Sequence, residues 1–134
     1  MALTVLDASV IIAVLDASDP HHERATTALR ERIAERDRLA LPVSAYAESL
    51  AGPCRRGPEP VHTLDAFLLA LPCAFEPATP VIARRAAQLR AEHGRGLRLP
   101  DAFVVATALE LSADRVLTAD RGWPAIADLV VQTI

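Results

Sequence analysis

Four acidic residues stand where the local sequence gives a carboxylate something to do. Asp7 closes the apolar run Leu3-Thr-Val-Leu6, and Asp120 follows the run Arg115-Val-Leu-Thr118. Asp101 lies behind Pro100 at the head of the apolar stretch 102–111, and Glu48 lies inside the segment 43–51. An aspartate directly after an apolar strand of an open α/β sheet sits at the carboxyl edge, where ligands bind. Each aspartate also has an ordinary explanation. Asp7 could cap the helix that follows it, Asp120 in Asp120-Arg121-Gly122 could serve a turn, and Asp101 could sit beside the positive end of a helix dipole. Glu48 discriminates. Its helix presents Val43, Tyr46, Ala47 and Leu50 as the apolar side, and with Ser44 as N-cap the capping-box position falls on Ala47 instead of Glu48.

Gathered into one cleft, several carboxylates cannot all stay ionised cheaply; either some bind protons or a cation neutralises them. Oxygen-only donors with room for water suit Mg2+ or Mn2+, whereas Zn2+ prefers the His or Cys that this set lacks. An ion held there lowers the pKa of a bound water, orients it for in-line attack and stabilises charge developing on a phosphate. Cys54 and Cys73 stand apart, without the neighbouring Cys or His of a zinc site, and read as reduced thiols. A metal-free mechanism would draw on histidines as acid and base. His21, His22, His62 and His93 all fall in expected surface helices, away from strand ends.

The elements that must carry these side chains follow from hydrophobic patterning. Strands are expected at 3–6, 39–41, 73–75, 115–118 and 129–133, and helices at 10–15, 21–38, 43–51, 61–71, 80–92 and 102–111. Thr79-Pro80 has the hydroxyl-plus-proline form of a helix start, and Gly94 and Gly96 supply a stop. With three prolines and two glycines, residues 52–60 read as a mobile loop. Strands alternate with helices, and several are continuous apolar runs. This pattern indicates an α/β fold with a central parallel β-sheet flanked by helices on both faces. A chain of 134 residues, 51% hydrophobic, is expected to form a single domain over 1–134.

No apolar run approaches the ~20 residues needed to span a bilayer, and the N-terminus has no signal-peptide pattern, so a cytoplasmic location without membrane attachment is expected. The formal net charge of −3 argues against tight gripping of nucleic acid by overall positive potential. Charge is nevertheless local. All 14 basic residues are arginine, and residues 84–98 hold five of them against the single acid Glu92. Arg95 and Arg98 in that segment, with Arg55 and Arg56 in the expected loop, are candidates for contacting a phosphate backbone. Trp123 could stack on a base, although in Gly122-Trp123-Pro124 it is expected to pack a turn against the core.

With these residues in place the sequence resembles the PIN-domain proteins and, within them, the VapC-type toxins of bacterial toxin–antitoxin pairs. The resemblance spans nearly the whole chain. It rests on Leu6-Asp7-Ala8-Ser9, Ala45-Tyr-Ala-Glu48, Leu99-Pro-Asp101-Ala-Phe-Val-Val-Ala-Thr107-Ala and Leu117-Thr118-Ala-Asp120. It implies a PIN-like fold, a Mg2+- or Mn2+-dependent endoribonuclease activity on an RNA substrate, and a homodimer held inhibited by a small antitoxin protein. It assigns the metal and catalytic roles to Asp7, Glu48 and Asp101 as the core set and to Asp120 as the variable fourth member. Ser9 and Thr118 correspond to supporting hydroxyl positions.

Other classes also place an aspartate after a first strand. Receiver domains rely on a lysine near a late strand, and this chain has none. Dehalogenase-like phosphatases need a second acid two residues after the nucleophile, where Ser9 stands. Within the PIN class, the alternative to a toxin is a nuclease of RNA processing or decay, or a catalytically silent RNA-binding module. The motifs do not separate these.

Overall fold

The computed structural model describes residues 1–134. Five short strands, β1 (Leu3–Leu6), β2 (Arg38–Pro42), β3 (Cys73–Glu76), β4 (Arg115–Thr118) and β5 (Val131–Thr133), pair in the order β3-β2-β1-β4-β5. Every pairing is parallel, with Val5 opposite Ala40 on one side and Val116 on the other. Neighbouring residues of a strand point to opposite faces. Val5 and Leu6 are both fully buried, as are Val116 and Leu117, so the centre of the sheet is covered on both faces. That is why these strands read as continuous apolar runs with no polar alternation.

Six α-helices supply the cover: α1 (Ala8–Leu15), α2 (His22–Ala34), α3 (Val43–Arg56), α4 (Pro58–Ala70), α5 (Pro80–His93) and α6 (Leu99–Glu110). The larger core joins the strands to α1, α2, α3 and α4 through Val10, Ile11, Leu29, Ala45, Leu64 and Leu68. A second core lies between α5 and α6, built on Ile82, Ala86, Leu89, Leu97 and Val105. The chain lays down β1, β2 and β3 in one direction and then returns past β1 to place β4 and β5 on its other side. This reversal opens a crevice at the carboxyl ends of β1 and β4. No helix is long and apolar enough to cross a membrane.

The expected loop at 52–60 is instead the junction of two helices. α3 continues through Gly52 and Pro53 to Arg56, and α4 begins at Pro58. Proline in a first helical turn gives up an amide that has no intrahelical partner, so Pro58 and Pro60 start α4 without penalty. Gly57 alone makes the turn, with φ 117° and ψ −174°, a conformation that side chains disfavour. α3 begins at Val43 as expected, but its N-cap is Pro42 instead of Ser44, and its buried stripe is Ala45, Ser49 and Pro53. Val43 and Ala47 are exposed, and Tyr46 and Leu50 are half-buried. Other boundaries move less: α2 ends at Ala34 instead of 38, and β5 starts at Val131 instead of 129.

Candidate metal-binding active site

Asp7 follows β1 as the N-cap residue of α1, yet its side chain makes no cap bond to that helix. The carboxylate turns across the crevice instead. Its Oδ2 accepts hydrogen bonds from Ser9 Oγ at 2.5 Å and from Thr118 Oγ1 at 2.9 Å. Ser9 Oγ in turn accepts from the Ala119 amide at 2.9 Å, and Thr118 Oγ1 accepts from the Asp120 amide at 3.1 Å. The ends of β1 and β4 are thus tied through two hydroxyls, with the Asp7 amide donating to the Leu117 carbonyl at 3.0 Å. One oxygen of a carboxylate that is only 4% exposed is fixed in place. The capping explanation for Asp7 does not hold, and Ser9 and Thr118 both bond its carboxylate.

Asp101 lies in the first turn of α6, behind Pro100, and only 7% of its surface is exposed. Its carboxyl is pushed up from the ordinary 3.8 to about 6. Loss of water around it is the largest cause, Asp7 adds repulsion, Arg98 opposes the rise, and Asp120 and Glu48 add further repulsion. Glu48 is raised as well, first by partial burial and then by Asp7, again opposed by Arg98, although the residue as a whole is exposed. Asp101 therefore lies within electrostatic reach of the other three acids, and Glu48 within reach of Asp7. Asp120 is half-buried, and its Oδ1 accepts from the Gly122 amide at 2.8 Å, so the turn explanation and a place beside the cleft both apply to it.

The donor set fits a hard divalent cation: carboxylate and hydroxyl oxygens only, mutually repelling, with one Asp7 oxygen held by hydroxyls and the other left over. No three His, Cys, Asp or Glu side chains converge tightly enough to share one ion as they are arranged here. None of the histidines joins the set. His22 Nδ1 pairs with the Ala13 carbonyl at 2.8 Å and ties α2 to α1.

The four candidate RNA-contacting arginines divide. Arg98 caps α6 from the rim, its Nε 3.6 Å from Asp101 Oδ2. Arg56 lines a cleft of about 280 Å3 with Glu48, Ser49, Ile12, Leu15 and Asp16. Arg55, at the end of α3, and Arg95, between α5 and α6, are exposed, and neither is bonded to the acids. Trp123 packs between the two cores. Sequence reading missed Asp37, only 4% exposed at the opposite, amino edge. Its Oδ2 accepts from Thr4 Oγ1 at 2.7 Å and from Arg115 Nη1 at 2.6 Å, with Arg32 at 3.5 Å. In sequence it is one charge among seven in residues 30–38, and nothing marks it as buried.

Comparison with known proteins agrees with this architecture. The chain is similar to FitAcB from Neisseria gonorrhoeae, at 26% identity and a TM-score of 0.73, with 96% of each chain covered. It is similar to the Mycobacterium tuberculosis toxin VapC20, a sarcin–ricin loop cleaving protein, at 19% identity, a TM-score of 0.72 and coverage of 88% of this chain and 90% of that one. It also matches VapBC2 from Rickettsia felis, solved on a DNA fragment of its promoter, at 15% identity and a TM-score of 0.73, over 98% of each chain. At their identities the last two speak for the fold alone. No match is found among curated proteins. The PIN domain model matches residues 4–129, a span that takes in all five acids and hydroxyls of the carboxyl edge together with Glu48, and the chain belongs to the PIN domain family.

Proposed function

We propose that this protein is a divalent-cation-dependent endoribonuclease, the toxin of a VapBC-type toxin–antitoxin pair. One observation carries the catalytic part. Asp7 is bonded by Ser9 and Thr118 at the crevice between β1 and β4 instead of capping its helix, and Asp101 feels the charges of Asp7, Asp120 and Glu48, which supports a shared role for the four acids. Asp7, Glu48 and Asp101 would hold Mg2+ or Mn2+, with Asp120 as fourth donor. Bound there, the ion supplies an activated water and offsets charge on the scissile phosphate.

The chain's own residues prepare that step. The two hydroxyls fix Asp7 before any ligand arrives, which removes a reorganisation cost. Asp101, its carboxyl raised to about 6, is held back from ionising by burial and by its acidic neighbours, and positive charge entering the site would relieve that cost. Arg98, paired with Asp101, and Arg56, in the cleft with Glu48, would attract the phosphate backbone, with Arg55 and Arg95 as further exposed candidates. Cleavage of the sarcin–ricin loop by the similar VapC20 supports RNA as the substrate class.

The cleft beside Glu48 supports the antitoxin part. Ile12, Leu15, Pro53 and Leu64 give it an apolar floor between α1, α3 and α4, and Asp16 and Arg56 give it a charged rim. An apolar segment seated there would lie against Glu48 and close one side of the acid cluster. Similar chains solved as VapBC complexes support such a partner, and a homodimer is the matching expectation for assembly.

The test is an RNA-cleavage assay in Mg2+ or Mn2+, comparing the wild type with Asp101→Ala. Cleavage that EDTA abolishes and that leaves 5′-phosphate and 3′-hydroxyl ends is expected, because water is the nucleophile. Products ending in 2′,3′-cyclic phosphate would exclude the mechanism.

A further inference from the structure

The five arginines between residues 84 and 98 do not share one role. Arg85 reaches Glu110 at 3.9 Å across the α5–α6 pair. Arg90 donates through Nη1 to the carbonyls of Gly94 at 2.7 Å and Leu97 at 3.0 Å, bracing the turn between those helices. Leu97 is fully buried, and the Ala102 amide donates to the Arg98 carbonyl at 2.8 Å. The backbone of Arg98 is therefore fixed on both sides. Its side chain is free: it is 69% exposed and makes one long ion pair with Asp101, whose own side chain is 9% exposed. Arg98 is also the one cation that opposes the rise in both Asp101 and Glu48.

We infer that Arg98 is an exchangeable counter-ion of the acid cluster, occupying the approach to Asp101 until divalent metal displaces it and then presenting its guanidinium to the RNA backbone. The inference rests on the proposed active site. The cluster needs positive charge. A single guanidinium meets part of that need, but a divalent ion placed among the same carboxylates meets more of it and repels Arg98. An exposed ion pair of this length is weak, so the side chain leaves at little cost. Swung outward from a fixed N-cap position, it stays at the rim of the crevice, where a phosphate would arrive. Arg98 is thus a positioning residue that couples metal loading to substrate binding.

The two roles predict opposite effects of one substitution. Isothermal titration of Mn2+ into the full chain at low ionic strength, without RNA, should show Arg98→Gln binding the metal about three- to fivefold more tightly than the wild type. Arg98→Lys should return close to wild type, and Arg95→Gln should leave the metal affinity unchanged. With Ca2+ present to hold the acids without turnover, anisotropy of a fluorescein-labelled single-stranded RNA should show Arg98→Gln binding RNA severalfold more weakly. Equal or weaker Mn2+ affinity in Arg98→Gln, with wild-type binding intact, would overturn this inference and leave the active-site reading standing. Failure of the wild type to bind Mn2+ at all would overturn both.

Discussion

Asp101 allows the electrostatic argument to be tested without any substrate. Its carboxyl is raised from 3.8 to about 6 in the fold, and its side chain is only 9% exposed. Below about pH 4 the folded and unfolded chains both carry the proton. Between about pH 4 and 6 the unfolded chain releases it while the fold retains it. Stability of the metal-free protein therefore falls as pH rises through that window and levels off above it. A displacement from 3.8 to about 6 corresponds to about 3 kcal/mol against the ionised fold, which is a ceiling for what a neutral replacement regains. Asp101→Asn loses the Arg98 pair and buries an amide, so a net gain of about 1–2 kcal/mol at pH 7.5 is expected. For a domain of this size that is a rise in Tm of roughly 3–10 °C. Thermal melts in EDTA at pH 7.5 and pH 4.5 measure it, and at the lower pH the gain should vanish. Millimolar Mg2+ should raise the wild type more than the variant and narrow the difference. An Asn variant that is less stable at pH 7.5, or that gains equally at both pH values, would refute the reasoning.

Asp7→Asn should abolish RNA cleavage while leaving stability in EDTA equal or higher, as read by denaturant titration, because Asp7 caps nothing and one repulsive charge is gone. Asp37→Ala should cost about 2–4 kcal/mol of unfolding free energy in the same titration, since Arg115 and Thr4 lose their shared acceptor. Gly57→Ala meets open space but must adopt a φ near 117°, so chemical denaturation should show a loss of about 1–2 kcal/mol with no steric remodelling.

The parallel sheet was legible because its strands are buried on both faces and so appear as unbroken apolar runs, Leu3 to Leu6 and Val116 to Leu117 most clearly. The placement of Asp7 and Asp120 at the carboxyl edge was legible for a related reason. In such a sheet the residue after a strand is placed by topology, and only the convergence of the strand ends with Glu48 and Asp101 required three dimensions. The junction at 52–60 was misread because proline and glycine were counted as breakers wherever they stood. Pro58 and Pro60 fall where a helix wants no amide, and Pro53 is absorbed into a buried stripe that tertiary packing holds helical. The N-cap of α3 is Pro42 and not Ser44 for a similar reason: Pro42, ending β2, already supplies the extended cap conformation. Asp37 was hidden by its neighbours. A buried charge surrounded in sequence by exposed charges carries no local signature, and only its partners Thr4 and Arg115, from two other strands, reveal it.

β1 and β4 are treated oppositely at their two ends. At the amino end Asp37, Thr4 and Arg115 form a saturated lock, with opposite charges matched and hydroxyl engaged. At the carboxyl end the same two strands deliver Asp7 and Thr118 into a group whose charge is left largely unmatched. The rigidity of one pole lets the other tolerate unmatched charge, so substitutions in the carboxyl-end turns can be made while the amino-end lock is kept as chassis.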